Sequence, residues 1–300
     1  SEFCYNTLAN SQEYESIAEV LIEKMSENSR EEPWRSALPL KSIFNIPSNR
    51  ACTINDTASS SSATPSTTGS LSLSSTTAFS LINLSEQEIA ELLTFIDYHI
   101  YCQIHFSEML GQAWNKDDKR QTAPNIILST NFFNLVGNWV AVTLLNIHDI
   151  RERRKQLKRF IHITNVLYEM NSLNMVMAVS GGLTNTSVHR LTNTWDSLDD
   201  KTQKLWEKMI SLVSHTQNSK ALRLRMKELY DTGKPCCPFA GVYLKDLVFV
   251  DDGNPTFIDG KIHFTKCAQQ YNMMHQVLRF QNREYNTSII NEPCMDHVAD

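Results

Sequence analysis

LSEQEIAELLTFIDYHI, residues 84–100, decides the fold class. Ser85 and Glu88 stand three places apart, the spacing at which each side chain satisfies a backbone N–H of the other at a helix start. Beyond them Ile89, Leu92, Leu93, Ile96 and Ile100 recur along one helical face. The same signature returns downstream in Leu157, Phe160, Ile161, Leu167 and Met170, and again in Leu205, Met209, Leu212 and Val213. From Leu81 to about Asn286 the pattern is helical almost throughout. Alternating polar and apolar runs fall well short of the roughly 20–25% strand of an ordinary domain. The expected fold class is all-α.

Upstream the chain changes character. Residues 1–50 hold one short helical candidate, Tyr14 to Met25, with Ile17, Val20, Leu21 and Met25 on one face; the polar run Ser26 to Arg35, containing Pro33, ends it. Residues 51–80 read as a linker. Within them, 16 of the 24 residues from Thr57 to Ser80 are Ser or Thr and none is charged, so this segment buries too little apolar surface to offset its ordering entropy. Residues 81–300 form the remaining unit.

Composition narrows the function. The 300 residues carry 28 basic and 33 acidic side chains, a net charge of −5 that argues against a general nucleic-acid binder. Nine Gly are few for a nucleotide-binding α/β enzyme. Seven Cys with no C-x-x-C pair suggest neither a disulfide framework nor a zinc knuckle, and a reducing, cytoplasmic compartment is the simpler expectation. The apolar stretch Leu135 to Ile147 contains Gly137, Asn138, Thr143 and Asn146 and is shorter than the ~20 residues of a membrane span. The start Ser-Glu-Phe, without Met or a signal pattern, reads as a fragment excised from a cytosolic protein.

Enzymatic motifs are scarce. The nine His are scattered, with no H-E-x-x-H and no Cys at ligand spacing, so neither metal nor cofactor is expected. There is no G-x-S-x-G elbow, and Ser180-Gly181-Gly182 lacks the context of a phosphate loop. Arg151 to Arg159 packs six basic residues into nine and reads as a solvated helix face, because Leu157, Phe160 and Ile161 continue it on the other side.

One segment stands apart: Pro235-Cys236-Cys237-Pro238, then FAGVYLKDLVFV, then Asp251-Asp252-Gly253-Asn254-Pro255. Its helix is apolar on nearly every face apart from Lys245 and Asp246, and composition alone places such a helix in a core. Asp251 and Asp252 oppose the helix dipole at its C-terminal end, and uncompensated negative charge there hints at function.

Taken together these segments resemble the catalytic domain of Ras guanine-nucleotide exchange factors of the Son-of-sevenless type. The matching blocks run in the family's order. They are LSEQEIAELLTFIDYHIYCQI, SEMLGQAWNK, APNIILSTNFFNLVGNWV, MNSLNMVMAVSGGLTNTSVHRL, NSKALRLRM, PCCPFAGVYLKDLVFVDDGNP and IHFTKCAQQYNMMHQVLRFQ. The resemblance implies a helical bowl from which a helical hairpin protrudes, its helices near Phe239–Val250 and Thr265–Phe280. It implies an exchange factor, without covalent chemistry, for a Ras-, Rap- or Ral-like small GTPase in the cytoplasm, recruited to the inner face of a membrane through other regions. A catalytically silent GTPase-binding scaffold of the same fold is the alternative. Carried over, the wedge positions are Val248 and Asp252, with Asn254 supporting the turn and Phe239 at the hairpin base. The cradle for the second switch segment is Ile127, Thr130, Asn131, Met177, Gly181, Thr184, Asn218, Leu222 and Arg223. The family usually has Asn where this chain has Thr184, and the adjacent Asn185 is its candidate substitute. Val248 and Asp252 are shorter than the Leu and Glu of several members. The family also carries an N-terminal helical module bracing the hairpin, for which residues 1–50 are too short.

Overall fold

The computed structural model describes residues 84–214, 216–283 and 285; the helix expected at Tyr14–Met25 and the linker of residues 51–80 lie outside them. Helix α1 (Glu86–Cys102) leads through a 3-10 segment (Phe106–Asn115) and the single turn α2 (Lys119–Thr122) to α3 (Pro124–Asn146). Helices α4 (Ile150–Glu169) and α5 (Leu173–Leu183) complete the centre of the molecule. Two short turns, α6 (Thr186–His189) and α7 (Thr192–Trp195), lead to α8 (Asp200–Val213) and α9 (Thr216–Asp231). The hairpin follows: α10 (Gly241–Gly253), a ribbon of β1 (Phe257–Ile258) and β2 (Lys261–Ile262), and α11 (Phe264–Leu278). The fold is all-α as expected; among the described residues the only sheet is this antiparallel ribbon, turned by Asp259 and Gly260 at positive φ.

Local chemistry accounts for the helix starts. The Ser85 hydroxyl accepts from the Glu88 N–H at 3.2 Å while the Glu88 carboxylate accepts from the Ser85 N–H at 2.7 Å, which holds the Glu88 carboxyl below its ordinary value. Asp149 caps α4 through the N–H groups of Arg151 and Glu152, and Asp199 caps α8 through Thr202. All five apolar residues of the first stripe are buried, as are Leu157, Phe160, Ile161 and Leu167 of the second. Arg151, Arg154, Lys155 and Lys158 stay exposed on the opposite face of α4.

Helices α3 and α5 form the tightest contact. A Cβ at Gly182 would collide with the Gly137 carbonyl oxygen and lie 2.8 Å from Val140 Cβ, so the two backbones approach where neither glycine has a side chain. Trp139 closes the other side of α3, its ring edge-on to Phe160 at 5.1 Å. The apolar run read from Leu135 is longer than expected: α3 spans 23 residues and is apolar enough to cross a bilayer by length and composition. Its setting is that of a core helix, with Phe132, Val136 and Val140 fully buried and Thr130, Asn134 and Asn138 on an exposed polar face.

Candidate functional site

The hairpin root is tied to the bundle by a polar knot. The Cys237 N–H donates to the Asn171 carbonyl at 3.1 Å and to the Tyr285 hydroxyl at 2.8 Å, while the Tyr285 O–H donates to Asn171 O at 2.9 Å. The Asn174 N–H donates to Cys237 O at 3.1 Å, and its side chain donates to Asp97 Oδ1 at 2.7 Å. Asp97 is 1% exposed. Burial raises its carboxyl to about 6, against hydrogen bonds from Cys237 and Asn174 that favour the charged form. Burial also pushes the Cys236 and Cys237 thiols up, which keeps them protonated and unreactive.

From this root α10 leaves the bundle. Its sequence is apolar nearly all round, yet it is not enclosed: Val242, Tyr243, Leu247 and Val250 are buried, Leu244 and Val248 half-buried, and Phe249 is 63% exposed. The composition argument for a core helix is therefore overturned, because the partner that covers one face is the hairpin's own second helix. The helices begin and end within three residues of the expected boundaries. Large apolar side chains crowd the outer end, with Phe257, Ile262 and Phe264 all more than 60% exposed.

At the C-terminal end of α10 the two aspartates part company. Asp251 points inward, 3.5 Å from Lys266 Nζ, and accepts from the Gln270 side chain. The Lys266 ammonium, on a residue only 7% exposed, also donates to the Asp251 and Asn254 carbonyls at 3.1 and 2.8 Å. It thereby satisfies acceptors the helix end leaves open and offsets the dipole. The negative charge at this end, read from sequence as uncompensated, is compensated at Asp251. Asp252 alone is exposed, accepting from Gln112 Nε2 at 3.0 Å. The Asn254 side chain donates to Val250 O at 3.0 Å.

A cavity of about 240 Å³ opens between the hairpin root and the N-terminal half of α3, lined by Ile126, Thr130, Phe133, Phe239, Gly241 and Leu244 among others. Phe239 is half-buried, its ring 5.6 Å from that of Phe133 and so close to Gly241 that a Cβ there would meet it at 2.6 Å. Beside this cavity Ile127 and Asn131 are half-exposed and Thr130 is exposed. Gly181, Thr184 and Asn185 are exposed where α5 gives way to α6; the Thr184 hydroxyl donates to Ser180 O at 2.8 Å and the Asn185 side chain caps α6. Asn218 is exposed in a left-handed turn, Gln217 to Ser219.

Three residues expected in the cradle are not open on this surface. Leu222 is 0% exposed and Met177 7%; both pack into the core, so their side chains support the surface and do not present themselves on it. Arg223 is engaged within the molecule: it pairs with Asp246 at 2.8 Å, donates to the Val242 carbonyl at 3.2 Å and lies over the Tyr243 ring, tying α9 to the hairpin base. Lys266 and Gln112 went unread in the sequence. Lys266 stands twelve residues beyond Asn254 with no local pattern to mark it, and Gln112 lies 140 residues from its partner. Among the described residues no three His, Cys, Asp or Glu side chains converge as a metal site would require.

The fold and this surface define an all-helical domain with a projecting hairpin beside an open apolar cavity. A family model of the RasGEF domain matches residues 88–268, and the chain belongs to that family. It is 35% identical over 207 residues to Ras guanine nucleotide exchange factor J of Dictyostelium discoideum, covering 69% of this chain and 25% of that protein. It is 30% identical over 204 residues to Ras-specific guanine nucleotide-releasing factor 2 of Danio rerio, covering 68% and 16%. The chain thus spans a quarter or less of the length of these relatives.

Proposed function

We propose that the chain is the exchange module of a guanine-nucleotide exchange factor for a Ras-subfamily small GTPase, working without covalent chemistry. The observation that carries this reading is the projecting hairpin, with Val248 half-exposed and Asp252 exposed at its outer end beside the cavity at its root. The relatives' names, which specify Ras, support the same partner class.

The mechanism follows from linkage. A small GTPase holds its nucleotide through phosphate-loop N–H groups, a Lys and magnesium. A nucleotide bound at picomolar Kd is held by about 16 kcal/mol, so unassisted release is slow. A factor that binds the empty GTPase more tightly than the loaded one lowers nucleotide affinity by the same ratio. In this reading the hairpin enters between the switch segments. The short apolar Val248 disfavours the ion at its place, and Asp252 puts a carboxylate where phosphate oxygens stood. Phe239 and the cavity at the root receive an apolar side chain of the second switch segment, flanked by Thr130, Asn131 and Thr184. Net direction is set by whichever nucleotide is in excess. The protein acts in the cytoplasm, brought to a membrane-bound GTPase by regions outside the matched domain.

The test is release of a fluorescent nucleotide from a panel of Ras, Rap and Ral proteins, with and without the full chain. Acceleration on at least one member is expected, and Phe239→Ala lowers it at least tenfold through the lost aromatic anchor. Binding to the empty GTPase without acceleration would establish the silent-scaffold alternative, which the departure at Thr184 favours.

A further inference from the structure

We propose that Gln112 is a positioning residue for the exchange reaction, holding the Asp252 carboxylate at the angle at which the hairpin enters its partner. The inference rests on the exchange reading and adds a residue outside both the wedge and the cradle.

The 3-10 segment Phe106–Asn115 is anchored at one end and reaches the hairpin at the other. Its anchor is Glu108, 3% exposed, whose carboxylate accepts from the Asn125 and Ile126 N–H groups at 2.8 and 3.0 Å and from the Asn125 side chain at 2.8 Å. A buried anion thus sits on the N-terminal N–H groups of α3, the helix that carries Ile127, Thr130 and Asn131. Met109 and Ala113 bury the segment's apolar side, and Phe106 meets Tyr271 of α11 with ring centroids 6.4 Å apart.

Between those contacts the backbone turns left-handed at Gly111 (φ 55) and Gln112 (φ 56). Glutamine rarely adopts that conformation, and it persists where the surroundings impose it. Here the turn aims the Gln112 amide outward. The amide nitrogen donates to Asp252 Oδ1 at 3.0 Å, and its oxygen accepts from Asn115 Nδ2 at 3.3 Å. The amide is therefore oriented at both ends before it meets the carboxylate. An exposed Asp on the last turn of a projecting helix would otherwise sample several rotamers. The Gln112–Asp252 bond, carried on the segment that Glu108 ties to the start of α3, makes hairpin tip and groove one pre-set unit, which reduces the ordering required on docking.

The experiment is a double-mutant cycle on the full chain, Gln112→Ala and Asp252→Ala alone and together, read by nucleotide release from the GTPase on which the wild type is active. Gln112→Ala is expected to lower the maximal release rate three- to tenfold and to change the half-saturating factor concentration by less than twofold. In the Asp252→Ala background it should add nothing. Gln112→Asn, too short to reach, should behave as the alanine does. A Gln112→Ala protein with wild-type or faster release overturns the proposal, the faster case making Gln112 a restraint on the hairpin. A loss that persists in the Asp252→Ala background also overturns it, since it would report structural damage alone. A wild type inactive on every GTPase tested defeats the exchange reading itself and this proposal with it; an active wild type with an indifferent Gln112 defeats this proposal only.

Discussion

The α3–α5 pair and the α10–α11 hairpin are both helix against helix, yet opposite means hold them. Where α3 meets α5 the contact is dry and close: Gly137 against Gly182, with Phe132, Val136, Val179 and Leu183 fully buried around it. The hairpin buries one apolar seam and is otherwise fastened by polar groups at defined points: Lys266 at the outer end, Arg223 with Asp246 on the flank, and the Cys237–Asn171–Tyr285 knot at the root. Dispersion and apolar burial are non-directional and stabilise the bundle in bulk. Hydrogen bonds are directional, so they fix the angle of an element with little of its surface covered. The comparison teaches that the bundle supplies stability and the fastenings supply aim.

Three substitutions or conditions sharpen this contrast, from the largest expected effect to the smallest. Gly182→Val strikes the dry contact. Overpacking costs about 3 kcal/mol at its upper end, and here a backbone carbonyl stands in the way, so the melting temperature should fall by about 6–12 °C. Near-wild-type melting would show that the two helices separate cheaply. Lys266→Met removes the hairpin's outer fastening and leaves the Asp251 carboxylate, 12% exposed, facing an apolar side chain. A cost of about 2 kcal/mol is expected, confined to the hairpin, with faster hydrogen exchange in α10 and α11 and little change in α3 and α5. Uniform acceleration through the bundle would erase the distinction between the two regions.

The third concerns Asp97, where the root knot meets the core. Its carboxyl is raised in the folded chain, to about 6 from an ordinary 3.8, because burial penalises the charged form. A raised value favours folding at low pH: the contribution is full below about 3.8 and is lost as pH rises through 6. Between pH 7 and pH 5 this group should add about 1 kcal/mol of stability, a rise that Asp97→Asn abolishes. Equal slopes for wild type and variant across that window would refute the assignment. Glu88 acts in the opposite sense, its lowered value withdrawing stability only at more acid pH.

What could be read in the sequence was local. Ser85 and Glu88 announce a helix start because both partners of the capping box lie within one turn, and the stripe from Ile89 to Ile100 shows its buried face by spacing alone. The hairpin was legible through its proline and glycine punctuation and through resemblance, and composition by itself misplaced it in the core. The burial of Leu222 and Met177 and the internal pairing of Arg223 went unread for one cause. Motif position says which residues lie near the groove, but whether a side chain faces out is set by neighbours distant in sequence, as Arg223 is by Asp246. Gln112 and Asp252, 140 positions apart, are the extreme case, since no periodicity spans such a separation. Gly182, next to last in α5, meets Gly137 at a helix crossing that no local pattern announces.

The shielded amine of Lys266 has a practical consequence. Acylating reagents modify lysines that meet solvent, and this one, 7% exposed with its N–H groups directed at carbonyls, meets solvent only when the hairpin loosens. Its labelling rate, set against that of open-surface lysines such as Lys155, becomes a built-in clock for the unlatching of the lever.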